Sequence, residues 1–171
     1  MPGILRNPSP PPYPPVLLRQ SIHVVLLVTA AFLSGCEPGR APLPTGNLDA
    51  GSKIFADYCA TCHNPAGLGT KGGAPPLAKS PWVAGSEQRL IRIVLHGVRG
   101  PLSISDTTYN LEMPSFGAML DDSRISSVLT FLRATFGEGA PAVFPNTVRE
   151  VRRATSTRTV YWTASELLEV P

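Results

Sequence analysis

Cys59-Ala60-Thr61-Cys62-His63 is the stretch on which the reading of this chain turns. Two residues separate its thiols, which places both on one turn of a helix. From there each thiol can add to a vinyl group of the same porphyrin, and the histidine that follows stands beneath the iron as an axial ligand. The pattern C-x-x-C-H reads as a c-type haem attachment site. Only 3 cysteines occur in 171 residues, so the pattern is not background. Two other readings of a bare C-x-x-C stand beside it, a redox dithiol and half of a zinc site. A thioredoxin-like dithiol calls for a βαβ surrounding, which the sequence does not show. A zinc tetrad needs a second Cys/His pair, which is absent from the sequence.

Outward from the motif, helical spacing predicts three helices. The first has Asp49 as N-cap, carries Ile54, Phe55 and Tyr58, and leads into Cys59. The second begins after Ser86, buries Leu90, Ile91, Val94 and Leu95, and stops at Gly97. The third begins near Asp121, buries Ile125, Val128, Leu129 and Leu132, and closes at Gly137. Loops dense in glycine and proline lie between them, and no strand pattern is visible. The expectation is one all-α domain over residues 47–137, its long loops organised around a single haem.

An iron that carries electrons without binding small molecules needs a sixth ligand. Met113 lies in Glu112-Met113-Pro114-Ser115-Phe116, where Pro114 holds it extended and stiffens the turn. A weak thioether ligand requires such a loop, and a Met/His pair raises the reduction potential. The other reading of Met113 is a core side chain. Met119, at the entry to the third helix, reads as packing. His96, near the C-terminal end of its helix, would make a bis-histidine site but reads as structural or solvent-facing.

The order helix, C-x-x-C-H, Gly/Pro loop, helix, Met-Pro loop, helix resembles the class I cytochromes c, over residues 47–136. The resemblance implies a small helical fold in which the first helix, near Gly51 and Phe55, crosses the last, near Leu129 and Leu132. It implies one haem c bound through Cys59 and Cys62 and ligated by His63 and Met113. Gly73-Ala74-Pro75-Pro76-Leu77 is similar to the family's loop beside the proximal histidine, where a proline carbonyl accepts the Nδ1 hydrogen. Pro75 or Pro76 would do so for His63, the other reading being a plain turn. Trp82 and Tyr109 would touch propionates or close the pocket edge, or simply pack.

Tyr109-Asn110-Leu111-Glu112-Met113-Pro114 and Ala140-Pro141-Ala142-Val143 are similar to cytochrome domains found beside quinoprotein and sugar dehydrogenases. The implied role is a non-enzymatic carrier of single electrons from such a dehydrogenase to an oxidase or another cytochrome. The rivals are a peroxidase-like enzyme and a haem-based gas sensor. Both need an open sixth position, and a dihaem peroxidase needs a second haem motif, which the sequence lacks.

Ile22 to Leu33 is a short apolar run behind Arg6 and Arg19, with no acidic residue before it. It falls well below the roughly 20 residues of a transmembrane helix and reads as a secretory signal. Leu33-Ser34-Gly35-Cys36 resembles a bacterial lipobox. The resemblance implies that residues 1–35 are removed and that Cys36 carries the lipid; an ordinary signal with an incidental cysteine is the alternative. Residues 36–46, with Pro38, Gly39, Pro42, Pro44 and Gly46, would then be an extended linker. The compartment implied is the periplasm, with membrane tethering and with Glu37 leaving inner or outer membrane open. Both remaining thiols are consumed by haem, so no structural disulfide is expected.

Removal of Arg6 and Arg19 lowers the 15 basic residues to 13, against 12 acidic ones. Steering by net field is then weak, and nothing supports nucleic-acid binding. Beyond the domain, residues 138–171 form an extension. Thr147–Ala154 reads as a helix with Val148 and Val151 inward and Arg149, Arg152 and Arg153 outward. Thr163-Ala164-Ser165-Glu166 is a capping box, with Trp162 and Leu167 in staple positions. A helix this short does not stand alone, so Trp162, Leu167 and Leu168 are expected to dock on the domain or on a partner.

Overall fold

The computed structural model describes residues 45–104 and 106–171. The signal, Cys36 and nearly all of the linker lie outside the described residues. The architecture is helical: α1 (Thr45–Tyr58), α2 (Ala60–His63), α3 (Pro81–Ala84), α4 (Glu87–His96), α5 (Asp122–Thr135), α6 (Pro145–Ala154) and α7 (Ala164–Leu168). Among the described residues, no helix is long and apolar enough to cross a membrane.

The N-caps follow from local chemistry. Asp121 accepts from the Arg124 amide at 2.8 Å and Ser86 from the Arg89 amide at 3.2 Å, so α5 and α4 start where expected. Thr163 and Glu166 form the full capping box at α7. Asp49 does not cap α1: the helix already begins at Thr45, which places Asp49 inside it. The short α3 escaped the sequence reading because four residues carry no periodicity. It is nucleated by Ser80, whose hydroxyl accepts from the Trp82 amide, and by Pro81 at its first position.

The core is the crossing of α1 and α5. Gly51 permits it: a Cβ there would lie 2.2 Å from the Ser127 carbonyl oxygen and 2.6 Å from Phe131 Cβ. The ring of Phe55 sits 5.6 Å from Phe131 and 5.4 Å from Phe136, between centroids, and locks the pair. Ile91, Ile125 and Leu129 are fully enclosed beneath them. Arg133, at a position without apolar signal, is also buried. Its guanidinium donates to the carbonyls of Pro141 (2.7 Å), Val83 (3.1 Å) and Gly85 (2.9 Å), tying α5 to α3 and to the next loop.

Three findings correct the sequence expectations. A two-stranded antiparallel hairpin is present, β1 (Leu102–Ile104) against β2 (Thr107–Tyr109), with Leu102 opposite Tyr109. Each strand is too short for its alternation to be counted, and the connection lacks a glycine signal. Arg152 does not face outward: it is half-buried against the loop before α5. Leu168 is 59 % exposed and does not dock, although Leu167 is fully buried and Trp162 packs beside it. The extension thus folds back on its own domain. Arg89 donates to the carbonyls of Leu167 (2.8 Å) and Val170 (3.3 Å), and the Ser86 hydroxyl reaches the carbonyl of Pro171.

Candidate haem site

α1 delivers Cys59 and α2 follows at once, so Cys59, Cys62 and His63 share one turn. The His63 amide donates to the Cys59 carbonyl at 2.9 Å, which closes that turn. All three residues line one cavity of about 420 Å³. Its inner walls are Val83 and Leu90, Ile93 and Val94 of α4, and Leu132 of α5. The hairpin supplies Leu102, Ile104 and Tyr109 to the same space.

His63 is buried, and its Nδ1 lies 2.9 Å from the Pro75 carbonyl oxygen. That acceptor assigns the hydrogen to Nδ1 and leaves Nε2 as the nitrogen free to ligate. Of the two candidate prolines, Pro75 is the one that bonds; Pro76 only lines the cavity. Burial holds the His63 pKa below the usual imidazole value, with the Pro75 carbonyl pulling the other way. The ring is therefore neutral at neutral pH, the form that binds a metal. Burial and the neighbouring Cys62 push the Cys59 thiol up to about 11.

Met113 lines the same cavity and is half-buried. It is held as a strand would be: its amide donates to the Val98 carbonyl at 2.9 Å and its carbonyl accepts from the Val98 amide at 3.1 Å. Trp82 also lines the cavity, its indole nitrogen donating to the Ser103 carbonyl at 3.4 Å. His96 does not reach the cavity; its Nε2 bonds the Thr155 hydroxyl at 2.6 Å. Met119 is 53 % exposed, so it neither packs nor competes. Sequence reasoning missed Ile93, Val98 and Leu102 as walls. Ile93 lay within the predicted second helix, but no local signal marked it as facing the cavity.

The residues fit a porphyrin held through two thioethers. The two thiols and a neutral histidine with one free nitrogen face an enclosed apolar space, where Cys59, Cys62 and His63 would hold the macrocycle.

A small helical domain with this motif opening onto one apolar cavity defines a c-type cytochrome. The chain belongs to the cytochrome c family described as cytochrome C oxidase, cbb3-type, subunit III, whose model matches residues 46–132. Membership makes it a cytochrome that carries electrons on covalently bound haem c. It is 35 % identical over 111 residues to cytochrome c-552 of Thermus thermophilus, covering 60 % of this chain and 82 % of that protein. It is 32 % identical to the gluconate 2-dehydrogenase cytochrome c subunit of Pantoea cypripedii, over 65 % of this chain but 25 % of the relative. The cbb3-type cytochrome c oxidase subunit CcoP of Rhodobacter capsulatus is 32 % identical over 74 % of this chain and 42 % of its own length.

Proposed function

We propose that this protein is a periplasmic carrier of single electrons, with iron ligated by His63 and Met113 and the chain tethered through lipidated Cys36. Donor and acceptor would be a quinoprotein or sugar dehydrogenase and an oxidase or second cytochrome. The observation that carries the reading is the shared cavity: His63, its Nδ1 taken by Pro75, and Met113 both line one apolar space.

Bound haem supplies an iron that gains and loses one electron. The chain's part is to keep its surroundings constant while that happens. Pro75 fixes the His63 ring and makes it a more basic ligand. Val98 holds the Met113 backbone, so the thioether keeps its place and raises the potential. Val83, Leu90 and Val94 exclude water, which keeps reorganisation small. Leu111, 51 % exposed, and exposed Cys62 line the cavity and also face solvent. They offer an apolar rim for a partner. The relatives that are named as subunits of a gluconate dehydrogenase and of an oxidase support that choice of partners.

The test is the visible spectrum of the matured ferrous protein with and without carbon monoxide. An unchanged low-spin spectrum is expected. A clear shift would mean an open sixth position and would favour gas sensing or peroxidase-like chemistry instead.

A further inference from the structure

The Met113 loop is gripped by a part of the chain beyond residues 46–132, where the family match ends. Three contacts make the grip. First, Val98 is the middle of three bridged segments. Met113 pairs with it antiparallel, and Trp162 of the extension pairs with it in parallel. The Trp162 amide donates to the Gly97 carbonyl at 3.1 Å, and the Arg99 amide donates to the Trp162 carbonyl at 2.9 Å. Second, the guanidinium of Arg152 on α6 reaches the loop at two points and the start of α5 at a third. It donates to the carbonyls of Gly117 (2.6 Å) and Leu120 (2.9 Å) and to the carboxylate of Asp122 (2.7 Å). Third, the Tyr161 ring closes on Gly97, the residue before the Val98 that pairs with Met113, and Arg99 lies over the same ring at 5.9 Å.

These contacts bracket residues 113–122 from both ends. From the other side, α4 accepts from the loop: the Phe116 amide donates to the Val94 carbonyl and the Gly117 amide to the Leu95 carbonyl. Space around the junction is tight. A Cβ on Gly97 would lie 2.4 Å from the Met113 carbonyl oxygen and 2.6 Å from the Tyr161 ring, so loop and extension meet at this glycine. A thioether is a weak, neutral ligand, so its residence depends on a backbone held in place. Pro114 restrains only its own φ and the backbone of Met113, not the rest of that loop.

We propose that the C-terminal extension positions Met113, with Arg152 and Tyr161 as positioning residues and the Trp162 segment as the outer rail. The proposal rests on the reading of Met113 as axial ligand. Release of either side chain lets the sulfur leave the iron more often, without unfolding the domain.

The test uses full-length matured holoprotein carrying Arg152→Gln, Tyr161→Ala or both. Met113→Ala tests the ligand reading, and Arg153→Gln, an exposed arginine one position on, is the surface control. The readouts are the sulfur-to-ferric-iron charge-transfer band, carbon monoxide binding to the ferrous form, and hydrogen exchange at the Met113 and Val98 amides. Each is taken where circular dichroism shows full helicity.

Arg152→Gln is expected to weaken the band and raise carbon monoxide occupancy and amide exchange by about tenfold, the equivalent of one charge-assisted hydrogen bond. Tyr161→Ala, which removes the ring from Gly97, should do the same to a smaller degree, and Arg153→Gln should do nothing. Should Arg152→Gln fail to fold, Tyr161→Ala carries the test, since it removes only a partly exposed ring. If Met113→Ala abolishes the band while Arg152→Gln and Tyr161→Ala leave all three readouts at wild-type values, the positioning role is overturned alone. If Met113→Ala leaves the band intact, the ligand reading falls and the proposal falls with it.

Discussion

Gly69 stands against Pro75: a Cβ built on Gly69 would lie 2.7 Å from the Pro75 carbonyl carbon and 2.5 Å from the Ala74 carbonyl oxygen. Its φ of +69° is also one that side chains resist. The Pro75 carbonyl is the acceptor for His63, so this glycine sets where that acceptor sits. Gly69→Ala should therefore move it away. Stability is expected to fall by roughly 1–3 kcal/mol from strain and overpacking. The reduction potential should rise, because a histidine without its acceptor is a less basic ligand to ferric iron. Voltammetry with a denaturant titration checks both; a potential equal to wild type would mean the acceptor is retained.

The α1–α5 crossing makes a second prediction. Gly51→Ala places a methyl group into the backbone of Ser127, which cannot rotate away. Alanine favours a helix by about 1 kcal/mol over glycine, but the clash outweighs it. A net loss of about 1–3 kcal/mol is expected, read as a lower denaturation midpoint at unchanged slope.

Arg133 is 5 % exposed and serves three backbone carbonyls rather than a carboxylate. Arg133→Met keeps the packing length but leaves those acceptors unsatisfied. A loss of about 2–4 kcal/mol is expected from the charged hydrogen bonds removed and the acceptors stranded. Arg133 does not line the haem cavity, so the potential should stay at the wild-type value. A shifted potential would show that the cavity feels this residue.

His96 makes acid-limb stability predictable. Burial first, then the charges of Arg158, Arg152 and Arg92, hold its pKa below the ordinary imidazole value. The Thr155 hydroxyl donates to the Val151 carbonyl at 2.8 Å, so it accepts from His96 Nε2. That bond survives protonation, and the cost of protonation comes from burial and the arginines. The unfolded chain binds the proton more readily than the folded one. Stability is therefore full above about pH 6.5 and is lost as pH falls toward the depressed folded value. His96→Gln should flatten the midpoint against pH over that window; an unchanged slope would assign the acid limb to other groups.

Much of this was legible locally. Residues 59–63 name the cofactor chemistry, because two thiols and a histidine at that spacing share one helical face. Asp121, Ser86 and Thr163 announced helix starts because an N-cap bonds within three residues of itself. The resemblance to class I cytochromes c implies a helix crossing near Gly51, and its close approach to Ser127 is where that crossing falls. The hairpin was not legible, since two three-residue strands hold no countable alternation. Arg152 reads locally as part of a solvated face and Arg133 carries no signal at all, because carbonyl acceptors leave no mark in sequence.

What the sequence alone determined was the attachment motif, the order of the three main helices, the caps of α4, α5 and α7, and the Met-Pro loop, all decided by residues within a turn or two of one another. The tertiary structure alone decided that Pro75, twelve residues from His63, is its acceptor. It also decided that Arg133 reaches Val83 across fifty positions, that Val98 carries Met113 on one edge and Trp162 on the other, and that the extension closes on its own domain. Those choices depend on which backbone groups remain unpaired once the helices have packed, and packing brings together donors and acceptors that no local pattern links.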